Sequence, residues 1–194
     1  SSNLNNEYIQ AKLNKINPDA IKIASFDEGN IIFLEKVSLL KKPVILSTGG
    51  ANLNQIDSSI KALNLSNDKL AVLHCVSKYP CPYSELLLKR IPMLIEKYPN
   101  LVIGSSDHFN GILSGPIAYM LGARVFEKHV TFDRSLKGTD HSFSLEREGF
   151  RKFVRDIKRV PQMLNYELPK DIGNEPVFKR LGKSIIAIRA IPKD

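Results

Sequence analysis

The sequence predicts an α/β fold in which parallel strands alternate with helices as part of a (β/α)8 barrel. Short apolar runs rich in β-branched residues recur about every 22 to 32 residues along the 194-residue chain. Segments with helical periodicity separate these runs, which is the pattern of successive βαβ units. Polar side chains follow the apolar runs, and this third observation favours a barrel over an open sheet.

Five strands are expected from the apolar runs, and each run is apolar at most positions. Near-continuous apolarity is typical of parallel strands that are covered on both faces. The expected strands span residues 20–25, 43–48, 69–76, 101–106 and 123–130. Their spacing alone fits either a doubly wound sheet or a piece of a barrel.

Six segments around these strands place apolar residues at helical intervals. They span residues 7–16, 30–42, 54–64, 92–98, 115–122 and 145–164. The last is the longest, and Ser144 is its expected N-cap. Beyond residue 165 the chain carries Pro, Gly and charged residues, then a strand-like run at 184–191. We therefore expect one domain at 1–165, and a linker with the start of a truncated second domain at 166–194.

Polar side chains stand at the end of every expected strand, which decides between the two architectures. A barrel places its functional residues at the C-terminal ends of many strands, whereas a doubly wound sheet concentrates them at one switch point. The strand-end residues are Lys22, Ser25, Ser47, Thr48, Ser77, Tyr79, Ser106, Asp107, His108, Glu127 and His129. Their distribution over five strands favours the barrel.

Two of these residues, His108 and His129, follow neighbouring strands and form half of a metal site. Neutral imidazole binds several divalent metals, and two imidazoles with open positions fit a Lewis-acid catalyst. Asp107 and Glu127 are candidates for further ligands, for partners that orient the imidazoles, or for acid–base groups. The residue pattern does not choose among these roles.

Small hydroxyls and one ammonium group on successive strands suggest a site for a phosphate or carboxylate. A Lys inside an apolar strand is costly unless it meets an anion, so Lys22 is the strongest signal among them. Each serine alone is more commonly a turn or strand-end residue. The candidate anion ligands are Lys22, Ser25, Ser47, Ser77 and Ser106.

Composition restricts the class of protein. Hydrophobic residues make up 43% and charged residues 25% of the sequence, and no apolar run reaches the length of a membrane span. The polar start lacks the apolar segment of a signal peptide, so we expect a cytoplasmic protein with Cys75 and Cys81 as free thiols. The net charge of +8 is scattered, which indicates a solvated surface first, an anionic substrate second and nucleic acid last.

Several segments of the sequence resemble the sialic acid synthase family. This family contains the N-acetylneuraminate synthases and their relatives that make legionaminic and pseudaminic acids or spore-coat sugars. The resemblance runs along nearly the whole chain, in the order of the family's motifs. It is carried by IKIAS (21–25), KPVILSTGG (42–50), LHCVSKYPCP (73–82), IGSSDH (103–108), LGARVFEKHVTFDRSLKGTDHSFSLE (121–146) and GKSIIAIRAI (182–191).

This resemblance implies a reaction and a set of ligands. Family members condense phosphoenolpyruvate with an N-acylated hexosamine such as N-acetylmannosamine, forming a nine-carbon ulosonic acid and releasing phosphate. A divalent metal, usually Mn²⁺ with Mg²⁺ or Co²⁺ as alternatives, is held by the residues matching His108 and His129. Phosphoenolpyruvate is held by the residues matching Lys22, Ser25, Ser47, Ser77 and Ser106.

The resemblance assigns the remaining residues to the sugar and to proton transfer. Tyr79, Glu127 and Asp140 match residues on the sugar side or near the metal, and Asp27 matches an acid that handles water. Asp27 and Glu127 are therefore the expected catalytic residues, although the family usually has Glu where this chain has Asp27. A homodimer is expected when such a protein is full length.

The resemblance covers only part of the family's architecture. The chain matches strands 4 to 8 of the TIM barrel and the start of a C-terminal antifreeze-like (SAF) domain. Two other interpretations stay open. One is a non-catalytic remnant or binding module of the same fold, and the other, ranked last, is nucleic-acid binding through the positive charge.

Overall fold

The computed structural model describes residues 13, 15–164, 167, 170 and 172–193. Two compact units result, one ending at Val160 and the other beginning at Pro161. The helix predicted at 7–16 lies largely outside the described residues, although residues 13, 15 and 16 are helical. The division into domains at residue 165 stays a prediction.

The first unit contains a parallel sheet of five strands in sequential order, β1 to β5. The strands are β1 (Ile21–Ile23), β2 (Val44–Ser47), β3 (Leu70–Cys75), β4 (Val102–Asp107) and β5 (Val125–Lys128). All five predicted strands are confirmed; four are shorter than expected, and β4 is shifted by one residue toward the C-terminus. Because each strand pairs with the next one along the chain, the order never reverses, and the doubly wound alternative is excluded for this sheet.

The helices follow the strands as predicted, with ends that differ by a few residues. They are α1 (Ile31–Ser38), α2 (Leu53–Leu63), α3 (Arg90–Lys97), α4 (Ser114–Met120) and α5 (Arg147–Met163). Asn52 caps α2, since its side chain accepts from the Gln55 N–H and the Gln55 side chain accepts from the Asn52 N–H. Ser144 is not the N-cap of α5: its hydroxyl donates to the Asp140 carbonyl oxygen, at 2.6 Å.

The second unit contains the short helix α6 (Pro176–Leu181). The strand predicted at 184–191 is wrong, because these residues have no strand conformation. Their apolar side chains are exposed; Ile185 and Ile188 are exposed by 103% and 94%. An apolar run becomes a strand only where a neighbouring strand pairs with its backbone, and the described residues of this unit provide none.

The two faces of each strand meet different surroundings. Alternate residues such as Leu46, Val72 and Ile103 are buried in a core that also contains Leu34 of α1 and Ile56 of α2. This core lies between the sheet and its helices. The residues between them in sequence point to the opposite face of the sheet, because side chains alternate along a strand.

A contact across that opposite face shows that the sheet is curved. Lys22 of β1 and Glu127 of β5 belong to the two outer strands, yet Lys22 Nζ lies 3.1 Å from Glu127 Oε2. In a flat sheet, four inter-strand spacings would separate these strands by roughly 19 Å, more than the two side chains reach. The sheet therefore curls into a half-barrel, and the face opposite the helices is its concave side.

The described part of the chain contains no helix long and apolar enough to cross a membrane.

Gly104, in the middle of β4, tests the close packing on the concave face. A Cβ at this position would clash with the Val125 carbonyl oxygen and the Leu73 side chain, both on neighbouring strands. We expect Gly104→Ala to lower the free energy of unfolding by about 1 to 3 kcal/mol, because backbone atoms of β5 must shift. Urea denaturation followed by circular dichroism would measure this change.

Gly29→Ala is the matched control, since nothing lies within 4 Å of a Cβ there. Its stability should change by less than about 0.5 kcal/mol. Equal urea midpoints for Gly104→Ala and the wild type would contradict the described packing.

Candidate functional site

A cavity of about 580 Å³ opens on the concave face at the C-terminal ends of the strands. Its volume suits a small-molecule ligand. Residues from all five strands, and from the segments that follow them, line it. They are Lys22, Ala24, Ser25, Phe26, Ser47, Cys75, Tyr79, Ser106, His108, Glu127, His129, Thr139 and Asp140.

The structure brings together nearly all of the residues that the sequence singled out. Lys22, Ser25, Ser47, Tyr79, Ser106, His108, Glu127, His129 and Asp140 line the cavity. Ser77 is not among the lining residues, but its hydroxyl lies directly behind the turn at Gly49. Asp27 is half-buried in the turn after β1 and is also absent from the lining.

His108 is held in an orientation suited to metal binding. Its Nδ1 lies 2.7 Å from the Val76 carbonyl oxygen, which assigns the proton to Nδ1 and leaves the lone pair of Nε2 free. The Tyr79 ring packs against it, with ring centroids 4.1 Å apart. Burial is the largest single effect on the pKa of His108 and lowers it. Hydrogen bonds with Cys75 and with Val76 act in the opposite direction and outweigh burial, so the pKa is raised overall.

His129 lies beside His108, and their ring centroids are 5.2 Å apart. Burial, and secondly the neighbouring His108, lowers the pKa of His129. A lowered pKa favours the neutral imidazole, which is the form that binds a metal. Asp140 approaches from the loop after β5, with Oδ2 3.6 Å from His129 Nδ1.

The donor set fits a metal with an incomplete protein coordination sphere. Two imidazoles face one cavity, one of them with its Nε2 free, and the carboxylates of Glu127 and Asp140 line the same cavity. Among the described residues, no group of three or more His, Cys, Asp or Glu side chains is arranged around one point. The protein would thus supply two nitrogens and leave the other positions to oxygen atoms of water or substrate.

Two buried hydroxyls in this region have no hydrogen-bond partner among the residues that the structure describes, the Oγ atoms of Ser47 and Ser77. Beside them, the Gly49 N–H donates to Ser25 Oγ at 2.8 Å, and Ser25 Oγ donates to Cys75 Sγ at 3.3 Å. A buried donor without a partner costs about 1 to 3 kcal/mol. Such atoms at the edge of a cavity are explained if a polar ligand completes their hydrogen bonds.

Lys22, an ammonium group within an apolar strand, was expected to meet an anion, and its anionic neighbour is Glu127. Both side chains are about one-third exposed, at 34% and 39%. No well-aligned hydrogen bond joins them, since Glu127 Oε2 accepts none. An entering phosphate or carboxylate would therefore compete with Glu127 for the ammonium group.

The sequence did not identify Cys75 as a residue of the site, and it left the role of Asp107 open. Cys75, expected only as a free thiol, is indeed free, but it also lines the cavity. Its place at the end of β3, facing the same side as Ser47 and Ser106, was the available signal. Asp107 is not a candidate ligand in this cavity, because it lies on the helix-facing side and binds Lys128.

Comparison with known proteins gives one consistent family. The model of the NeuB family matches residues 1–168. SpsE, the spore coat polysaccharide biosynthesis protein of Bacillus subtilis, is 35% identical over 181 residues, covering 92% of this chain and 48% of SpsE. The N,N'-diacetyllegionaminic acid synthase of Campylobacter jejuni is 34% identical, covering 93% of this chain and 55% of the synthase.

A solved structure agrees with these sequence matches. The N-acetylneuraminic acid synthetase of Leptospira borgpetersenii, in complex with citrate, is 35% identical with a TM-score of 0.74, covering 87% of this chain and 59% of that one. The chain spans about half the length of the curated relatives it matches. Because the family model covers most of the sequence and the half-barrel superposes on a solved relative, this chain belongs to the NeuB family.

Proposed function

We propose that this chain is part of a sialic-acid-type synthase, which condenses phosphoenolpyruvate with an N-acylated hexosamine such as N-acetylmannosamine. The product would be a nine-carbon ulosonic acid, formed with release of phosphate, for carbohydrate or surface polysaccharide synthesis. One observation carries the proposal: two imidazoles, the ammonium group of Lys22 and the Ser47 hydroxyl, which has no partner among the described residues, line one cavity. The synthase names of several relatives support it.

Phosphoenolpyruvate would bind at the hydroxyl end of the cavity. Ser47 and Ser77 would donate to its phosphate or carboxylate oxygens, and Ser25 and Ser106 extend the same row. Lys22 Nζ, which lies 3.1 Å from Glu127 Oε2 in the structure, would turn away from Glu127 and neutralise the anion. The ligand thus completes hydrogen bonds that the protein alone leaves open.

The imidazole end would receive the sugar. A divalent metal held by His108 and His129, Mn²⁺ or alternatively Mg²⁺ or Co²⁺, would polarise the aldehyde group of the open-chain sugar. The hydrogen bond between His108 Nδ1 and the Val76 carbonyl oxygen leaves Nε2 available to the metal. Tyr79, which packs on His108, would contact the sugar together with Asp140.

Bond changes then follow from these positions. The electron pair of the C2–C3 double bond of phosphoenolpyruvate would form the new bond from C3 to the aldehyde carbon, and the aldehyde oxygen would gain a proton. Water would then add at C2 and lose a proton, and the C2–O bond to phosphate would break to leave a C2 ketone and free phosphate. Glu127, released from Lys22, lies beside His129 and can exchange the proton at the aldehyde oxygen. The proposed role of Asp27 with the water rests on the family resemblance, since Asp27 is absent from the cavity lining.

Several finer statements belong to the same proposal. The five strands would be strands 4 to 8 of an eight-stranded barrel, and 166–194 would lead into an antifreeze-like domain. The full-length protein would be a cytoplasmic homodimer without nucleic-acid or membrane partners. β1 and β5 each pair with one strand in the described sheet, so three further strands would close the barrel.

Metal binding is the direct test of the imidazole pair. We expect His129→Ala to weaken Mn²⁺ binding by more than about 100-fold, because loss of a ligand exceeds the 10- to 100-fold cost of losing a supporting partner. Electron paramagnetic resonance of free Mn²⁺ during titration would measure the affinity. His141→Ala is the matched control, since His141 contacts Thr131 and does not line the cavity. Absence of Mn²⁺ binding by the wild type would refute the metal role.

Ser47→Ala should separate ligand binding from stability. Without ligand, we expect stability to rise by up to about 1 kcal/mol, because a buried hydroxyl without a partner disappears. The rise in melting temperature caused by phosphoenolpyruvate should shrink in the same variant. Thermal melts with and without phosphoenolpyruvate would show both effects.

Ser59→Ala serves as the control for this experiment. Ser59 is equally buried, but its hydroxyl donates to Glu28, so its loss should destabilise the chain and leave the ligand-induced shift intact. If Ser47→Ala and Ser59→Ala lower stability alike, then Ser47 has a partner within the protein and the anion site is misplaced.

Turnover can be tested once the chain is joined to the remaining barrel strands of a relative. We expect phosphate release that requires phosphoenolpyruvate, N-acetylmannosamine and Mn²⁺, and that falls by about 100-fold or more in Glu127→Gln, within the range for loss of an acid–base group. A colorimetric phosphate assay would measure it. A folded, metal-binding protein without turnover on any N-acylated hexosamine would instead support a non-catalytic remnant.

A further inference from the structure

A buried ion pair joins the ends of β4 and β5 on the helix-facing side of the sheet, behind the cavity. Asp107 Oδ2 lies 2.7 Å from Lys128 Nζ, and the two side chains are only 5% and 1% exposed. The two residues are also direct partners in the strand register. The pair therefore ties together the last paired positions of the two strands.

The same two side chains hold the backbone that follows β4. The Phe109 N–H donates to Asp107 Oδ1 at 2.8 Å, while Lys128 Nζ donates to the Phe109 carbonyl oxygen. Ser114 at the start of α4 donates its hydroxyl to Asp107 Oδ2. His108 thus lies between two residues whose positions are set by this pair.

The imidazoles come next in sequence on each strand. His108 follows Asp107 and His129 follows Lys128, and their rings lie 5.2 Å apart on the cavity side. Successive side chains on a strand point to opposite faces of the sheet. The ion pair on the helix-facing side therefore fixes the backbone from which the next residue of each strand, an imidazole, projects into the cavity. A slip of one residue between the strands would move one imidazole by about 3.3 Å, farther than a shared ligand geometry tolerates.

Stability alone does not account for buried charges here. Apolar residues of similar volume commonly replace a buried ion pair without loss of stability. Earlier positions on the same face are uncharged: Ser105 pairs with Phe126 two residues before the ion pair, and Ile103 of β4, four residues before Asp107, is buried in the core. The charged pair appears only where the strands deliver the imidazoles, and a defined geometry is the best-supported benefit of such pairs.

We propose that Asp107 and Lys128 are positioning residues, which set the separation and orientation of His108 and His129 for a shared metal ion. The metal part of this statement rests on the proposed function. Neither residue lines the cavity, so their effect must pass through the backbone between them and the imidazoles.

The double variant Asp107→Asn/Lys128→Met tests this role without leaving one buried charge unpaired. We expect it to fold with a melting temperature close to that of the wild type, yet to bind Mn²⁺ about 10- to 100-fold more weakly, as for other groups that orient metal ligands. Lys97→Met is the matched control, since Lys97 forms an ion pair of the same 2.7 Å length with Asp57, away from the cavity. Its Mn²⁺ affinity should equal that of the wild type.

A measurement without metal separates this inference from the proposed function. Long-range ¹H–¹⁵N spectra of the metal-free wild type should show His108 as a single Nδ1–H tautomer, whereas the double variant should show a mixture. If wild-type protein binds no Mn²⁺, the metal role fails, but the tautomer comparison still decides the positioning. If the double variant does not fold, Asp107→Asn alone, which keeps the side-chain shape, should show the same changes.

Wild-type Mn²⁺ affinity together with an unchanged His108 tautomer in the folded double variant would overturn the proposal.

Discussion

Alternation of side chains along curved parallel strands is the constraint on which this structure depends. On the helix-facing side, alternate residues form a continuous apolar core with α1 to α4. On the concave side, the intervening residues become polar toward the C-terminal ends and line a cavity. One backbone thus carries both the stability of the unit and its candidate site, and a change of register by one residue would exchange the two.

Curvature converts separate strand ends into one site. In a flat sheet Lys22 and Glu127 would be far apart, but the half-barrel brings them into contact. The same curvature sets the hydroxyls of the early strands opposite the imidazoles of the late strands. The candidate anion ligands and the candidate metal ligands therefore line one space of small-molecule size.

Polar side chains at the cavity have fewer hydrogen-bond partners than those packed behind it. Within the described part of the chain, the hydroxyls of Ser47 and Ser77 lack partners, whereas the hydroxyl of the buried Ser59 on α2 is bonded to Glu28. Unfilled hydrogen bonds concentrated at one place are typical of a site whose ligand completes them. The buried pair behind the imidazoles shows the opposite pattern, since Asp107 and Lys128 satisfy each other and the adjacent backbone.

Local patterns in the sequence determined the strands, the helices and most of the strand-end residues of the site, because period-two and period-3.6 apolarity are properties of neighbouring residues. They could not determine contacts that depend on the summed twist and curvature of several strands. Lys22 with Glu127, Asp107 with Lys128 and the cavity-facing thiol of Cys75 were decided by the tertiary structure. The same reason explains the failed strand at 184–191: its apolar pattern is local, but a strand exists only where a neighbour pairs with its backbone.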